Sequence, residues 1–221
     1  MTKHITLKTG GDPRTLPDYA ALRDELSKLT HPARPDVNWQ YVQRLCLSMF
    51  EQNGVELQTA AWYTLARTHQ SGLAGLNEGL AILEALISRQ WETLWPKTQH
   101  ARMEILSGLS QRLQQRMRML PFNSSHLSEL YRAEALLTSL SAVLQRLELK
   151  HLSQLDTLRT LIRSNAERLE SSNETSDLNV NMKPDSESPL EKAEPIEEVK
   201  WVYVVHQENQ PNGEDRTTAP V

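Results

Sequence analysis

Between residues 17 and 170 the apolar residues recur at spacings of three and four, the repeat that gathers side chains on one face of an α-helix. The first stripe is Tyr19, Leu22, Leu26 and Leu29. Pro17 suits the first turn of that helix, and Asp18 lies beside its positive end. HPARPD, 31–36, breaks the helix twice with proline. Asp36 or Asn38 caps a second helix carrying Trp39, Val42, Leu45, Cys46, Met49 and Phe50, and Asn53-Gly54 ends it. Leu57, Ala60, Ala61, Thr64 and Leu65 mark a third. Ser71 caps a fourth, whose stripe of Leu73, Leu76, Leu80, Leu83 and Ile87 carries on to Trp91 and Leu94 before Pro96 stops it.

A fifth helix is predicted over about 100–120, with Met103, Leu106, Leu109, Leu113 and Leu120 inward and Pro121 behind it. Ser124 or Ser125 opens a sixth, where Leu130, Ala133, Leu137, Leu140, Leu144 and Leu147 keep the heptad spacing of paired helices. Ser153 with Asp156 resembles a capping box. That places a break near 150–153 and a seventh helix returning antiparallel to about Glu170; one continuous helix is the alternative. The expectation is an all-α bundle of about seven helices.

The ends have another character. Residues 1–16 read as a polar lead with a Gly10-Gly11-Asp12-Pro13 turn. From 171 to 200 apolar residues thin out while acids and prolines accumulate, so the segment cannot bury enough surface to offset its ordering entropy and reads as a disordered acidic linker. WVYVV, 201–205, is a short β-type run opening a polar stub to 221, too short to fold alone.

Composition follows this division. Hydrophobic residues make up 38% and the mean hydropathy is -0.54, as expected of a core diluted by a polar segment. The net charge of -4 is uneven. Residues 171–221 hold eleven Asp/Glu against four Lys/Arg, and residues 1–170 hold seventeen against twenty. A body this close to neutral does not point to nucleic acid as a partner. No run approaches the roughly 18–20 apolar residues of a membrane span, and the start lacks the apolar core of a signal peptide. One cysteine, Cys46, allows no disulfide within the chain and fits a reducing compartment.

Candidate chemistry is sparse. The seven histidines have no zinc-ligand spacing, no serine sits in GxSxG, and Cys46 lies on an apolar stripe. No catalytic, cofactor-binding or metal-binding residue is therefore expected. Gly72, Gly75 and Gly79 match neither phosphate-loop pattern; close approach of a neighbouring helix is one use, an anion at a helix N-terminus the other. RLQQRMR supplies Arg112, Arg116 and Arg118, either a solvated face or a contact for an acidic protein partner. Trp91 and Trp95 either pack the bundle end, with Trp39 and Trp62 in the same core, or form a ligand platform. The rival to a binding module is thus a small-ligand binder or enzyme built on the Gly72–Gly79 turn and these two indoles; a nucleic-acid-binding helical domain is a second rival.

GDPR at 11–14, LPDYAALRDELSKL at 16–29, PDVNW at 35–39, NGVELQTAAWYTLAR at 53–67, GLAGLNEGLAILEALISRQWETLWP at 72–96 and ARMEIL at 101–106 stand in order. Together they resemble the ImpA N-terminal domain of the TssA-like proteins of bacterial type VI secretion, closely over residues 10–120 and loosely over 121–170. In detail the chain looks most like the TagA/VasL branch. The resemblance implies a non-enzymatic component that binds tail sheath, baseplate or membrane-complex proteins and limits or caps the sheath near the inner membrane. It implies a cytoplasmic location at that membrane and structural tryptophans. Relatives continue into a C-terminal region for self-association or membrane attachment, so a chain that stops after WVYVV is expected to be a fragment or a short version.

Overall fold

The computed structural model describes residues 8–177. Within them lie seven α-helices: α1 (Pro17–Ser27), α2 (Trp39–Gln52), α3 (Leu57–Arg89), α4 (Gln99–Met119), α5 (Leu127–Arg146), α6 (Lys150–Ser153) and α7 (Leu155–Asp177), with a 3-10 turn at Ser124–His126. The all-α expectation holds. WVYVV and residues 178–200 of the acidic stretch lie outside the described residues. The compositional boundary at 170 is not the structural one, since α7 runs on to Asp177.

The punctuation residues act through identifiable groups. Asn38, rather than Asp36, caps α2 by accepting from Tyr41 N at 3.0 Å. The Asn38 N–H in turn donates to the Glu25 carboxylate of α1 at 2.7 Å, which couples the end of one helix to the start of the next. Glu56 opens α3, accepting from the N–H groups of Gln58 and Thr59 and from the Thr59 hydroxyl. Its complete burial raises its pKa, against the pull of those hydrogen bonds.

The predicted third and fourth helices are the two arms of α3. Their junction is Gly72, not a cap at Ser71: its φ of 56° and ψ of -131° turn the chain back on itself. A side chain at that φ is strained, which is why glycine stands there. The arms then lie against each other. Thr64 packs on Gly79 and the Arg67 carbonyl on Gly75 so closely that a Cβ at either glycine would overlap them. Glu78 seals the pair, taking a hydrogen bond from Tyr63 and an ion pair from Arg67 at 2.9 Å.

α3 is the central element, packed by α2, α4 and α5. α5 and α7 run antiparallel, as Tyr131 bonded to Glu170 and Ser141 bonded to Asp156 fix. Leu137, Leu140 and Leu144 meet Leu158, Ile162 and Ala166 in one continuous core. Between these two helices the chain turns at Glu148, whose φ is 60°, and again after α6 at Gln154, whose φ is 58°. The Ser153–Asp156 capping box does not form: the Ser153 hydroxyl accepts from Leu155 N, while Asp156 faces Ser141, Lys150 and Arg159.

The polar lead is docked rather than loose over its described part. Val55 N donates to Lys8 O at 2.5 Å and Gly10 N to Val55 O at 2.8 Å, a short parallel bridge beside the start of α3.

Candidate functional site

α3 ends at Arg89, so the helical stripe does not continue to Trp91 as the spacing predicts. Residues 90–98 form instead a turn with a cis Trp95–Pro96 bond. Three groups hold it. Trp95 O accepts from Leu57 N at 3.1 Å, tying the turn to the start of α3. Leu94 is fully buried. Arg102, in the first turns of α4, donates from Nε to Pro96 O and from Nη2 to Leu94 O, both at 2.6 Å. Its guanidinium also lies over the Trp91 ring at 4.4 Å. Arg102 is 4% exposed, and burial lowers its pKa.

This arginine is the site residue that sequence reasoning missed. The signal was present: Arg102, Leu106, Leu109 and Leu113 share one helix face, so a cation stands on an apolar stripe. A buried guanidinium needs acceptors, and the carbonyls of an irregular turn supply them.

The four indoles among the described residues are clearly placed. Trp39, Trp62 and Trp91 are half-buried and packed against the core. Trp39 stacks on His69 with ring centroids 4.0 Å apart, and Trp62 tilts against Tyr19 at 5.2 Å. Trp95 is half-buried beneath Arg14, which sits 5.1 Å above its ring and is itself held by Asp12 at 2.7 Å. Trp91 and Trp95 line neither of the two surface grooves described below.

Arg112, Arg116 and Arg118 do not form one face. Arg112 is half-buried at the edge of a groove. Arg116 is drawn toward the α3 turn, its Nη2 3.5 Å from His69 O and its Nε buried without a hydrogen-bond partner among the described residues. Arg118 is exposed two residues on, near the opposite side of the helix.

Groups with shifted pKa values are structural in their surroundings. Cys46 is completely buried and its thiol pKa is raised by desolvation, the reverse of a reactive thiolate. Burial and the Glu78 carboxylate push Tyr63 up. His69 is pushed down to about 4 by burial and by the Arg116 charge, so it is neutral near pH 7. The unfolded chain binds a proton at His69 near its ordinary 6.5 while the folded chain does not, so stability falls as pH drops from about 6.5 toward 4. Urea denaturation of the wild type should show that decline, and His69→Phe, which keeps the stack on Trp39, should flatten it. Among the described residues no three His, Cys, Asp or Glu converge as metal ligands.

Two open grooves mark the surface. The first, of about 330 Å³, runs between α1 and α4 over the first arm of α3. Its apolar lining includes Leu26, Leu29, Ala61, Trp62, Ile105 and Leu109, and Arg23, Arg112 and Glu104 are its charged residues. The second, of about 420 Å³, lies between α4 and α6 and includes Met103, Leu149 and the exposed Leu152. The second also holds His100, Glu104 and Ser107, but His100 pairs with Glu104 at 3.3 Å and Ser107 bonds to neither among the described residues, so what these concavities offer is contact area.

The fold and its surface define an all-α domain with open, mainly apolar grooves and buried side-chain polar atoms that, Asn77 Oδ1 and Arg116 Nε apart, are hydrogen-bonded among the described residues. Residues 6–111 match the family described as ImpA, N-terminal, type VI secretion system. Over those residues, just under half of its length, the chain is similar to the ImpA N-terminal domain of the type VI secretion TssA family. Its fold is similar to a solved structure, the N-terminal domain including the conserved ImpA_N region of the TssA component of the type VI secretion system from Burkholderia cenocepacia. The TM-score is 0.61 at 17% identity, over 75% of this chain and 89% of that one. No curated protein sequence matches.

Proposed function

We propose that this chain is a non-enzymatic structural component of the type VI secretion system that acts by docking onto other proteins of the machine. The observation that carries the reading is the ImpA N-terminal match, set on a body whose buried Arg102 and Glu56 bond to backbone groups of their own fold. The finer form is that it binds sheath, baseplate or membrane-complex proteins and limits or caps sheath assembly near the inner membrane, as in the TagA/VasL branch. Cytoplasmic placement belongs to the same proposal. Among the described residues no helix is long and apolar enough to cross a membrane.

Of the basic residues on α4, Arg112 and Arg118 reach the surface and are the candidates for an acidic partner; Arg116 is engaged at His69 O. The full chain, immobilised and offered each purified sheath, baseplate and membrane-complex protein, should capture at least one. Arg112→Glu with Arg118→Glu should weaken that capture about tenfold, mostly at low salt, as rim charges do. Capture unchanged by the reversals removes these two contacts, and capture of none removes the docking reading.

A further inference from the structure

Gly108 stands in the middle of α4, where glycine costs about 1 kcal/mol relative to alanine. Elsewhere in this fold helical glycines are explained by close packing, as at Gly75 and Gly79. At Gly108 a Cβ would meet nothing within 4 Å among the described residues. Gly108 faces the groove between α1 and α4, beside Ile105, Leu109 and the half-buried Trp62. A helix surface left bare at that point admits the close approach of another backbone.

We propose that the occupant is this chain's own segment 201–205, WVYVV. Three observations favour it over a foreign partner. The run is apolar and alternates so that Trp201, Tyr203 and Val205 share one side when extended, the pattern by which an extended segment fills a groove with every second side chain. Glu194, Glu197 and Glu198 precede it, and Arg23 and Arg112 flank the groove against one acid, Glu104. The 23 residues 178–200 that separate it from α7 can span up to about 75 Å when extended. That length is ample, because α7 packs directly on α4. A segment tethered in this way acts at an effective concentration near millimolar, so even weak affinity keeps the groove covered. The domain thus carries a built-in competitor, and a protein that docks in this groove must displace it.

The test uses a fluorescein-labelled peptide of residues 194–207 and the full 221-residue chain. The chain carrying Trp201→Ser, Tyr203→Ser and Val205→Ser should bind the peptide, and the unsubstituted chain should bind it about tenfold or more weakly, because its own segment competes. Adding Gly108→Trp to the serine variant should abolish binding, with circular dichroism confirming the helical fold. Should that variant unfold, Arg23→Glu with Arg112→Glu serves instead and should weaken binding several-fold. Equal affinity for the two chains, no binding to the serine variant, or indifference to the groove substitutions would each overturn the proposal. So would self-association of the unsubstituted chain in sedimentation that the serine substitutions remove, since the occupant would then be a second copy's segment.

Discussion

Gly75→Ala should destabilise the domain by about 3 kcal/mol, as read by urea denaturation followed by circular dichroism at 222 nm. Helix propensity argues the other way. Alanine in a helix interior is favoured over glycine by about 1 kcal/mol, so without tertiary contact the substitution would stabilise. The sign is decided by the neighbouring arm of α3. A Cβ at residue 75 would overlap the carbonyl of Arg67, a backbone group that cannot rotate away. Relief would require parting the arms, with loss of the Thr64–Gly79 contact and of the Tyr63 and Arg67 bonds to Glu78. Gly108→Ala is the matched control. Made in the chain carrying Trp201→Ser, Tyr203→Ser and Val205→Ser, whose groove stands open, its Cβ meets nothing among the described residues, so it should stabilise by about 0.5–1 kcal/mol. Two glycine-to-alanine changes in helices would then move stability in opposite directions, and the same sign for both would refute the close approach at Gly75.

Arg102→Ala should cost about 3 kcal/mol. Two hydrogen bonds from a charged, nearly buried donor are removed, each worth about 1.5–3 kcal/mol, along with a cation over Trp91 worth about 0.5–2. These contributions overlap, because the turn relaxes and water reaches the freed carbonyls, so the total falls below their sum. Arg102→Lys should recover part of the loss: an ammonium keeps the charge but lacks the planar fork that spans Leu94 O and Pro96 O together. The measurement is the urea midpoint of each variant. An alanine variant as stable as the wild type would mean that the turn holds itself through Leu57 N and the buried Leu94 alone.

Helix by helix, the spans were legible in the chain. Prolines at 17, 32, 35, 96 and 121 and the Asn53-Gly54 pair bound the observed elements, because these residues act on their own backbone. A break ahead of the seventh helix was foreseen, but at 150–153, where the short helix α6 stands; the chain turns instead at Glu148 and Gln154. Gln154 adopts a left-handed conformation that its residue type rarely chooses, and Ser110 donates to its carbonyl at 2.7 Å from 44 residues away. The close approach at Gly75 and Gly79 was one of two readings of those glycines; nothing local to the sequence named the neighbour as the preceding arm of the same helix. The extension of the fourth stripe to Trp91 failed for a related reason: periodicity continues through a turn that Leu57 N, the buried Leu94 and Arg102, eleven residues past Trp91, hold in place.

What the sequence determined by itself is the helical class, the order and length of most helices, and the resemblance carried by its ordered motifs. These follow from spacings of three and four and from residues that restrict their own φ, so no neighbour in space is needed to fix them. Tertiary structure decided which groups meet. It folded α3 back at Gly72, buried Arg102 against two turn carbonyls, sent Arg112, Arg116 and Arg118 into three different surroundings, and left a bare groove at Gly108. Each of these depends on how far one helix rotates and slides against another, and that is set by the close packing of the whole core rather than by any single stretch of chain.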